Sequence, residues 1–276
     1  MQTPATKMQA PVIKWPGSKR KIADQLAKLV PAHERYYEPF LGGGAMLAQA
    51  RPKAGLVSDI IPQLMDLWTL IRDEPEKASS GYSQHWQNLQ AIGYQYFYTV
   101  REHFNKTGDP VALLFLSRTC VNGLIRFNSK GEFNNSLHHT RPGIQPDSLE
   151  KIIGQWTIHV SNLEIKACDY REALSAADSG DFAFLDPPYV GTKGRYLPGQ
   201  FDFVEFYETL DNLTKRGVKW LLTLDGSAGS REYTSSSKHI PATHSFRIST
   251  GHSPFTRLMK TSLDAVFETV YLNYQP

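Results

Sequence analysis

The apolar run Phe182-Ala183-Phe184-Leu185 stops at Asp186-Pro187-Pro188-Tyr189, and that stop constrains the fold more than any other feature of the chain. A continuous apolar tetrad reads as a strand buried on both faces, as inside a parallel sheet. Two prolines cannot continue a ladder, because each lacks an N–H and has a fixed φ; the residue before each is also restricted. Asp186 and Tyr189 are therefore held at a stiff strand end. A carboxylate beside an aromatic ring suits a planar, amine-bearing group such as an adenine turned out of a duplex. A proline-rich turn with Asp as a local turn former accounts for the same four residues. The upstream sequence separates the two readings.

Strands and helices alternate at both ends of the chain. A helix is expected over Ser18–Val30, with Ser18 as cap, Ile22, Leu26 and Leu29 on one face and Pro31 as its stop. A strand at Tyr36-Tyr37 runs into Glu38-Pro39-Phe40-Leu41-Gly42-Gly43-Gly44, and a helix-prone segment, Ala45–Ala50, follows. Leu56-Val57-Ser58 reads as a strand ending at Asp59, before a helix with Leu64, Leu67 and Ile71 on one face. After an interruption, Leu163–Cys168 alternates like a strand and ends at Asp169. The strand before Asp186, a helix over Phe203–Lys215 and a buried strand over Val218–Leu224 come next. Ala265–Tyr274 is a final strand that can pair with Ser245–Ser249.

Between them, residues 73–161 lose the alternation and gain aromatics, including Tyr82, Trp86, Phe97 and Phe104. They read as the core of a small, mainly helical subdomain. Asn122 to Asn134 within it suggests a β-hairpin turning near Gly131. The expected organisation is thus one α/β domain, 1–72 and 162–276, interrupted by an insertion at 73–161. Open α/β sheets bind ligands at the carboxyl ends of their strands. Glu38, Asp59, Asp169 and Asp186 all fall at such ends, and helix capping explains all four less easily than one or two.

The 276 residues allow a full core, and a net charge of +3 permits nucleic-acid binding without arguing for it. The N-terminus lacks an apolar signal segment, and no run is long enough to span a membrane. Cys120 and Cys168 form neither a metal pattern nor a disulfide framework. The expected setting is the cytoplasm.

The glycine loop at Gly42–Gly44 lacks the spacing of a dinucleotide fingerprint or a P-loop. Free amides there suit a ligand carboxylate, and an acid at the next strand end, Asp59, suits ribose hydroxyls. Carboxylate, ribose and adenine together describe S-adenosylmethionine. A tight turn that needs glycine explains the loop on its own.

Four segments in order, Lys14-Trp15-Pro16-Gly17-Ser18-Lys19, Glu38 to Gly44, Ser58-Asp59-Ile60 and Asp186-Pro187-Pro188-Tyr189, resemble the Dam-like alpha-class (D12) family of DNA adenine-N6 methyltransferases. The resemblance spans 14–274. It implies a Rossmann-like S-adenosylmethionine-dependent methyltransferase fold with a target-recognition insertion at 73–161. By this resemblance, the cofactor is held by Trp15, Lys19, Glu38, Phe40, Gly42, Gly44, Asp59, Ile60, Asp169 and Asp186. Asp59 takes the ribose, Ile60 packs on the adenine and Asp169 bonds its amino group. Asp186, Pro187, Pro188 and Tyr189 form the catalytic segment that grips a flipped-out adenine in double-stranded DNA. Acceptors at Asp186 and Pro187 pull on the N6 hydrogens and aim the nitrogen lone pair at the sulfonium methyl. S-adenosylhomocysteine is the product and no metal is implied.

DNA contacts are implied at Lys14, Asn122, Leu124, Arg126, Asn128 and Ser136, with Arg126 matching a guanine reader. Val121 stands where GATC-reading members carry an aromatic wedge and Ser136 where they carry a proline, so the resemblance stops short of a GATC target. The polar stretch Gly191–Phe201 is a candidate to close over the base, and Thr256, Arg257 and Lys260 could meet phosphates. A monomer is expected, with a cognate restriction endonuclease as a conceivable partner. Rival readings are a cytosine-N4 or RNA amino methyltransferase, usually with Ser or Asn at position 186, or a non-catalytic DNA-binding protein of the same fold.

Overall fold

The computed structural model describes residues 9–141, 143–188, 201–228, 231–233, 239–252 and 265–276. Eight strands among them form one sheet: β1 (Tyr36–Glu38), β2 (Gly55–Asp59), β3 (Leu163–Ala167), β4 (Phe182–Leu185), β5 (Lys219–Ala228), β6 (Arg231–Tyr233), β7 (His244–His252) and β8 (Ala265–Leu272). Their order is β3-β2-β1-β4-β5-β8-β7, with β6 paired to the end of β5. The pairings from β3 through β5 are parallel, whereas β8 is antiparallel to both β5 and β7. The chain runs outward from β1 to β3, then crosses back to β4 beside β1. A crevice opens at that reversal, between the carboxyl ends of β1 and β4.

Strand residues alternate between the two faces, as the two-residue period requires. Tyr36, Val57, Phe182, Phe184 and Leu221 join one hydrophobic cluster; Tyr37, Leu56, Ala183, Leu185 and Leu222 join the other. Helices α1 (Ala23–Ala27), α2 (Leu47–Ala50) and α3 (Pro62–Asp73) cover the first face. The sequence between β2 and β3 adds α4 (Pro75–Ile92), α5 (Tyr94–Thr107), α6 (Pro110–Thr119) and α7 (Pro146–Val160) to that same cluster. Most of its aromatics are core: Tyr82, Phe97 and Phe115 are fully buried, whereas Tyr94 is exposed. Trp156 of α7 packs on Trp68 of α3, ring centroids 4.9 Å apart, and its indole donates to Ala10 O. Burying such rings removes water from large apolar areas, each contributing a few kcal/mol. Helices α8 (Tyr170–Leu174) and α9 (Phe203–Lys215) cover the other face, giving three layers.

Two expectations change. The helix predicted over Ser18–Val30 is a 3-10 turn at Lys19–Lys21 followed by the short α1, and Ser18 makes no side-chain cap bond. The 3-10 turn directs the Lys19 side chain inward, where it is buried. The stretch Asn122–Asn134 does turn at Gly131, but as isolated antiparallel bridges, Phe127 to Phe133 and Cys120 to Leu137, without continuous strands. The pairing of β7 with β8 includes all of Ser245–Ser249, as expected. No helix among the described residues is long and apolar enough to cross a membrane.

Candidate active site

A cavity of about 360 Å³ sits at the crevice between β1 and β4. Trp15, Lys19, Glu38, Phe40, Gly42, Asp59, Ile60, Asp169, Asp186, Pro187 and Pro188 line it, drawn from five separate stretches of sequence. Tyr189 lies outside the described residues, as do the expected loop from Gly191 to Gln200 and Thr256, Arg257 and Lys260. Gly44 is not in the lining. It has φ +66°, and a Cβ there would come within 3.0 Å of Trp156 and 3.2 Å of Trp68. Its missing side chain makes room for tryptophan rings of the core.

The glycine loop also differs from the expected carboxylate cradle. Gly42 N donates to Asp59 Oδ2 at 3.0 Å, Leu41 N to Ser58 O and Gly44 N to Leu41 O. These amides are consumed within the protein. The glycine at 42 instead admits Trp15: it has φ +48°, and a Cβ would stand 2.7 Å from the indole. The Lys14–Lys19 segment is thereby locked onto the glycine loop. Trp68 Nε1 donates to Gly42 O from beneath.

Five acidic side chains meet one lysine among the described lining residues: Glu38, Asp59, Asp169, Asp186 and Glu268 against Lys19. Glu38 is buried and accepts from Tyr36 Oη at 2.7 Å. Burial pushes its carboxyl up to about 8, with the Asp186 charge adding to the rise and the Tyr36 hydroxyl and Leu47 amide opposing it. Asp59 is raised to about 6 by burial, against hydrogen bonds from the amides of Gly42, Ile61 and Ile60. Asp186 Oδ1 lies 2.7 Å from Lys19 Nζ and accepts from Thr223 Oγ1 at 2.9 Å. At the far wall, Asp169 caps α8, accepting from Arg171 N and Arg171 Nε on Oδ1. Arg171 also bonds both oxygens of Glu205 on α9. Phe40 stacks on Tyr170, with Phe201 and Phe206 packed around them. Ile60 presents an apolar surface that is 52% exposed.

The residues expected at DNA form a second group. Asn122 has φ +57°, and Gly123 follows at +60° with the Lys14 stem against it; a Cβ on Gly123 would meet Lys14 Cδ at 2.3 Å. This left-handed pair seats the Lys14 stem against Gly123, and the next residue, Leu124, is 37% exposed. Arg126 is exposed and braced, with Nε donating to Asn134 Oδ1 at 2.8 Å. Asn128 is occupied internally: its Oδ1 accepts from the amides of Lys130 and Glu132, and its Nδ2 donates to Glu132. It shapes the turn, and its side chain is not presented as a free reader. Ser136 is exposed, while its carbonyl accepts from Val121 N. Lys14 is pulled below its usual value by burial and by Arg118 and Arg141.

The D12 class N6 adenine-specific DNA methyltransferase family matches residues 15–248. The chain belongs to this family. It is similar to the DNA N-6-adenine-methyltransferase of Escherichia phage P1, 30% identical over 243 residues, 83% of this chain and 31% of that protein. It is 28% identical over 246 residues to the type II methyltransferase M.MjaIII of Methanocaldococcus jannaschii, 77% of this chain and 83% of the relative. The DNA adenine methylase of Escherichia coli (strain K12) is 28% identical over 185 residues, 64% of each chain. This chain therefore spans about a third of the phage relative's length and less than two thirds of the E. coli one.

Membership in a methyltransferase family implies S-adenosylmethionine as methyl donor, and the cavity's chemistry fits that molecule. An acidic cavity suits a ligand with a sulfonium and an ammonium, and the exposed face of Ile60 suits an adenine ring. Several of this D12 member's site residues escaped the sequence reading. Tyr36 could have been found, because it shares a strand face with Glu38 two residues on. Thr223 and Glu268 carry no local motif.

Proposed function

We propose that this chain transfers a methyl group from S-adenosylmethionine to N6 of an adenine turned out of double-stranded DNA. The observation that carries the proposal is the meeting of Asp186 and Pro187 with Glu38, Asp59 and Asp169 around one cavity at the sheet's switch point. Asp59, Ile60 and Asp169 would hold the ribose and adenine of the methyl donor, and Glu38 would face its positive end. S-adenosylmethionine supplies a methyl already activated on a sulfonium. The chain's own task is to make the adenine amine a better nucleophile and to aim it.

Asp186 and the Pro187 carbonyl are the two acceptors for the N6 hydrogens. Bonds to both draw the nitrogen lone pair out of conjugation. Positioning and fixed charge supply the acceleration. Flipping the adenine out of the stack costs a few kcal/mol, offset by contacts to the base in the cavity. Tyr189 is assigned to stack on the flipped base. Lys14, Asn122, Leu124, Arg126 and Ser136 are assigned to the duplex, with 73–161 as the recognition part and the flanking sequence as the catalytic part. The acting unit is a monomer in the cytoplasm. A cognate restriction endonuclease is carried into the proposal as a partner on the family resemblance alone.

The test is expression in a host free of DNA methylation, with modified bases mapped by single-molecule sequencing. N6-methyladenine at one short recurring sequence is the expected result. Cytosine-N4 methylation or unmodified DNA would overturn the assignment.

A further inference from the structure

Glu268 lies on β8, remote in sequence from every segment that carries the family resemblance, yet it lines the cavity. Its Oε2 is buried and stands 3.6 Å from Lys19 Nζ. The same ammonium is 2.7 Å from Asp186 Oδ1 and donates to Gly17 O at 3.3 Å. Lys19 is 6% exposed, Asp186 18% and Glu268 17%, so this carboxylate–ammonium–carboxylate chain is largely shielded from water.

The backbone explains how a strand so distant in sequence delivers that side chain. The β5–β8 pairing slips between Leu224 and Gly226, at the point where Gly226 faces Glu268. A bulge of this kind re-aims side chains and is favoured beside active sites. A glycine is needed there, because a Cβ at 226 would come 2.8 Å from Phe267 O. On the same strand β5, Thr223 reaches Asp186 Oδ1. Oδ1 thus carries two donors, which fixes the carboxylate plane and leaves Oδ2 for an incoming amine. The ammonium that fixes it must not also close over Oδ2. A second carboxylate on its other side restrains it, and burying three charges in this ratio is costly unless each has a partner.

Given adenine methylation as the chain's activity, we propose that Glu268 is a positioning residue for methyl transfer: it shares the Lys19 ammonium with Asp186 and so keeps Asp186 Oδ2 open to the target amine. With the Glu268 charge removed, the ammonium is drawn further towards Asp186 and competes with the substrate.

The test compares Glu268→Gln, Glu268→Asp, Lys19→Met and the double variant Lys19→Met/Glu268→Gln with the unaltered chain. At saturating cofactor and DNA, Glu268→Gln slows the single-turnover rate by about tenfold to a hundredfold. Calorimetric affinities for cofactor and DNA change far less. Glu268→Asp, which keeps the charge, retains more of the rate. In the Lys19→Met background, Glu268→Gln has no further effect, because it acts through the lysine. Independently of turnover, the Lys19 Nζ resonance in 15N-lysine-labelled protein, assigned by its loss in Lys19→Met, moves in Glu268→Gln. Full rate in Glu268→Gln, equal slowing with and without Lys19, the reverse order of the Asp and Gln variants, or an unmoved Nζ resonance would each overturn the proposal. If the unaltered chain methylates no DNA, the proposed activity fails instead, and the Nζ resonance still decides the geometry.

Discussion

The amide of Gly42 donates to Asp59 Oδ2 at 3.0 Å, which makes the acid at the end of β2 the clasp of the glycine loop after β1. Asp59 Oδ1 accepts from Ile61 N at 3.2 Å, so both oxygens hold backbone. With the Ile60 amide also directed at this carboxylate, the remaining acceptor capacity is small and suits a ribose hydroxyl. Asp59→Ala removes the clasp and the ribose acceptor together. We expect S-adenosylmethionine affinity to fall about tenfold to a hundredfold, the worth of hydrogen bonds to a charged group. Isothermal titration calorimetry measures it, and unchanged affinity would contradict the ribose assignment.

Glu38 couples the cavity to pH. Its carboxyl is raised by burial from 4.5 to about 8, so the folded protein binds more protons than the unfolded chain between those values. Stability from this group is fully present below pH 4.5 and is lost as pH rises through about 8. Thermal melting of Glu38→Gln beside the unaltered protein should show the variant gaining in relative stability across that window. A cationic ligand favours the ionised form. Cofactor binding should therefore tighten with rising pH, by at most about tenfold per unit, and release a proton below pH 8. Titrations in buffers of different ionisation enthalpy report that proton. A flat pH dependence would remove Glu38 from the cationic end of the ligand.

Asp186 separates binding from chemistry. Asp186→Ala removes an acceptor that acts on the target amine, and the methyl-transfer rate should fall by about a hundredfold to a thousandfold, as when one preorganised group is lost. Asp59, Ile60 and Asp169 are untouched, so cofactor affinity should change much less. Tritium transfer to DNA and calorimetry measure the two quantities. Undiminished turnover would sink the role given to Asp186.

The acids at the strand ends were legible because each follows a strand-like run, apolar before Asp186 and alternating before Asp169, and a parallel sheet fixes where such ends point. Glu268 was not legible, since an antiparallel pairing and a bulge deliver it from the far end of the chain. Gly44 shows a different limit: a glycine in sequence says that something approaches closely, and here the approaching groups are Trp68 and Trp156. The helix expected from Ser18 had the right periodicity at Ile22 and Leu26. It failed because burying Lys19 toward Asp186 takes a tighter turn. Asn128 is placed at DNA by the resemblance; the turn near Gly131 is legible in the sequence, but not that the Asn128 side chain is spent on the amides of Lys130 and Glu132.

Sequence selectivity gives the last test. Arg126 is held by Asn134, with Nε on Oδ1 at 2.8 Å and Nη2 on the Asn134 carbonyl at 3.4 Å. A guanidinium anchored on one edge can present its other edge to O6 and N7 of a guanine without losing much side-chain freedom on binding. Arg126→Ala should cost about 1–3 kcal/mol of discrimination at one base pair while affinity for unrelated DNA changes little. Asn134→Ala leaves the arginine in place but unbraced, so it should relax the same position by a smaller amount. Arg126→Lys should behave more like the alanine variant than like the original, because a lysine cannot make the bidentate contact. Methylation rates on duplexes differing at one base pair measure all three. Unchanged selectivity in Arg126→Ala would take Arg126 out of the reader, and an Asn134 effect at a different base pair would break the link between the two residues.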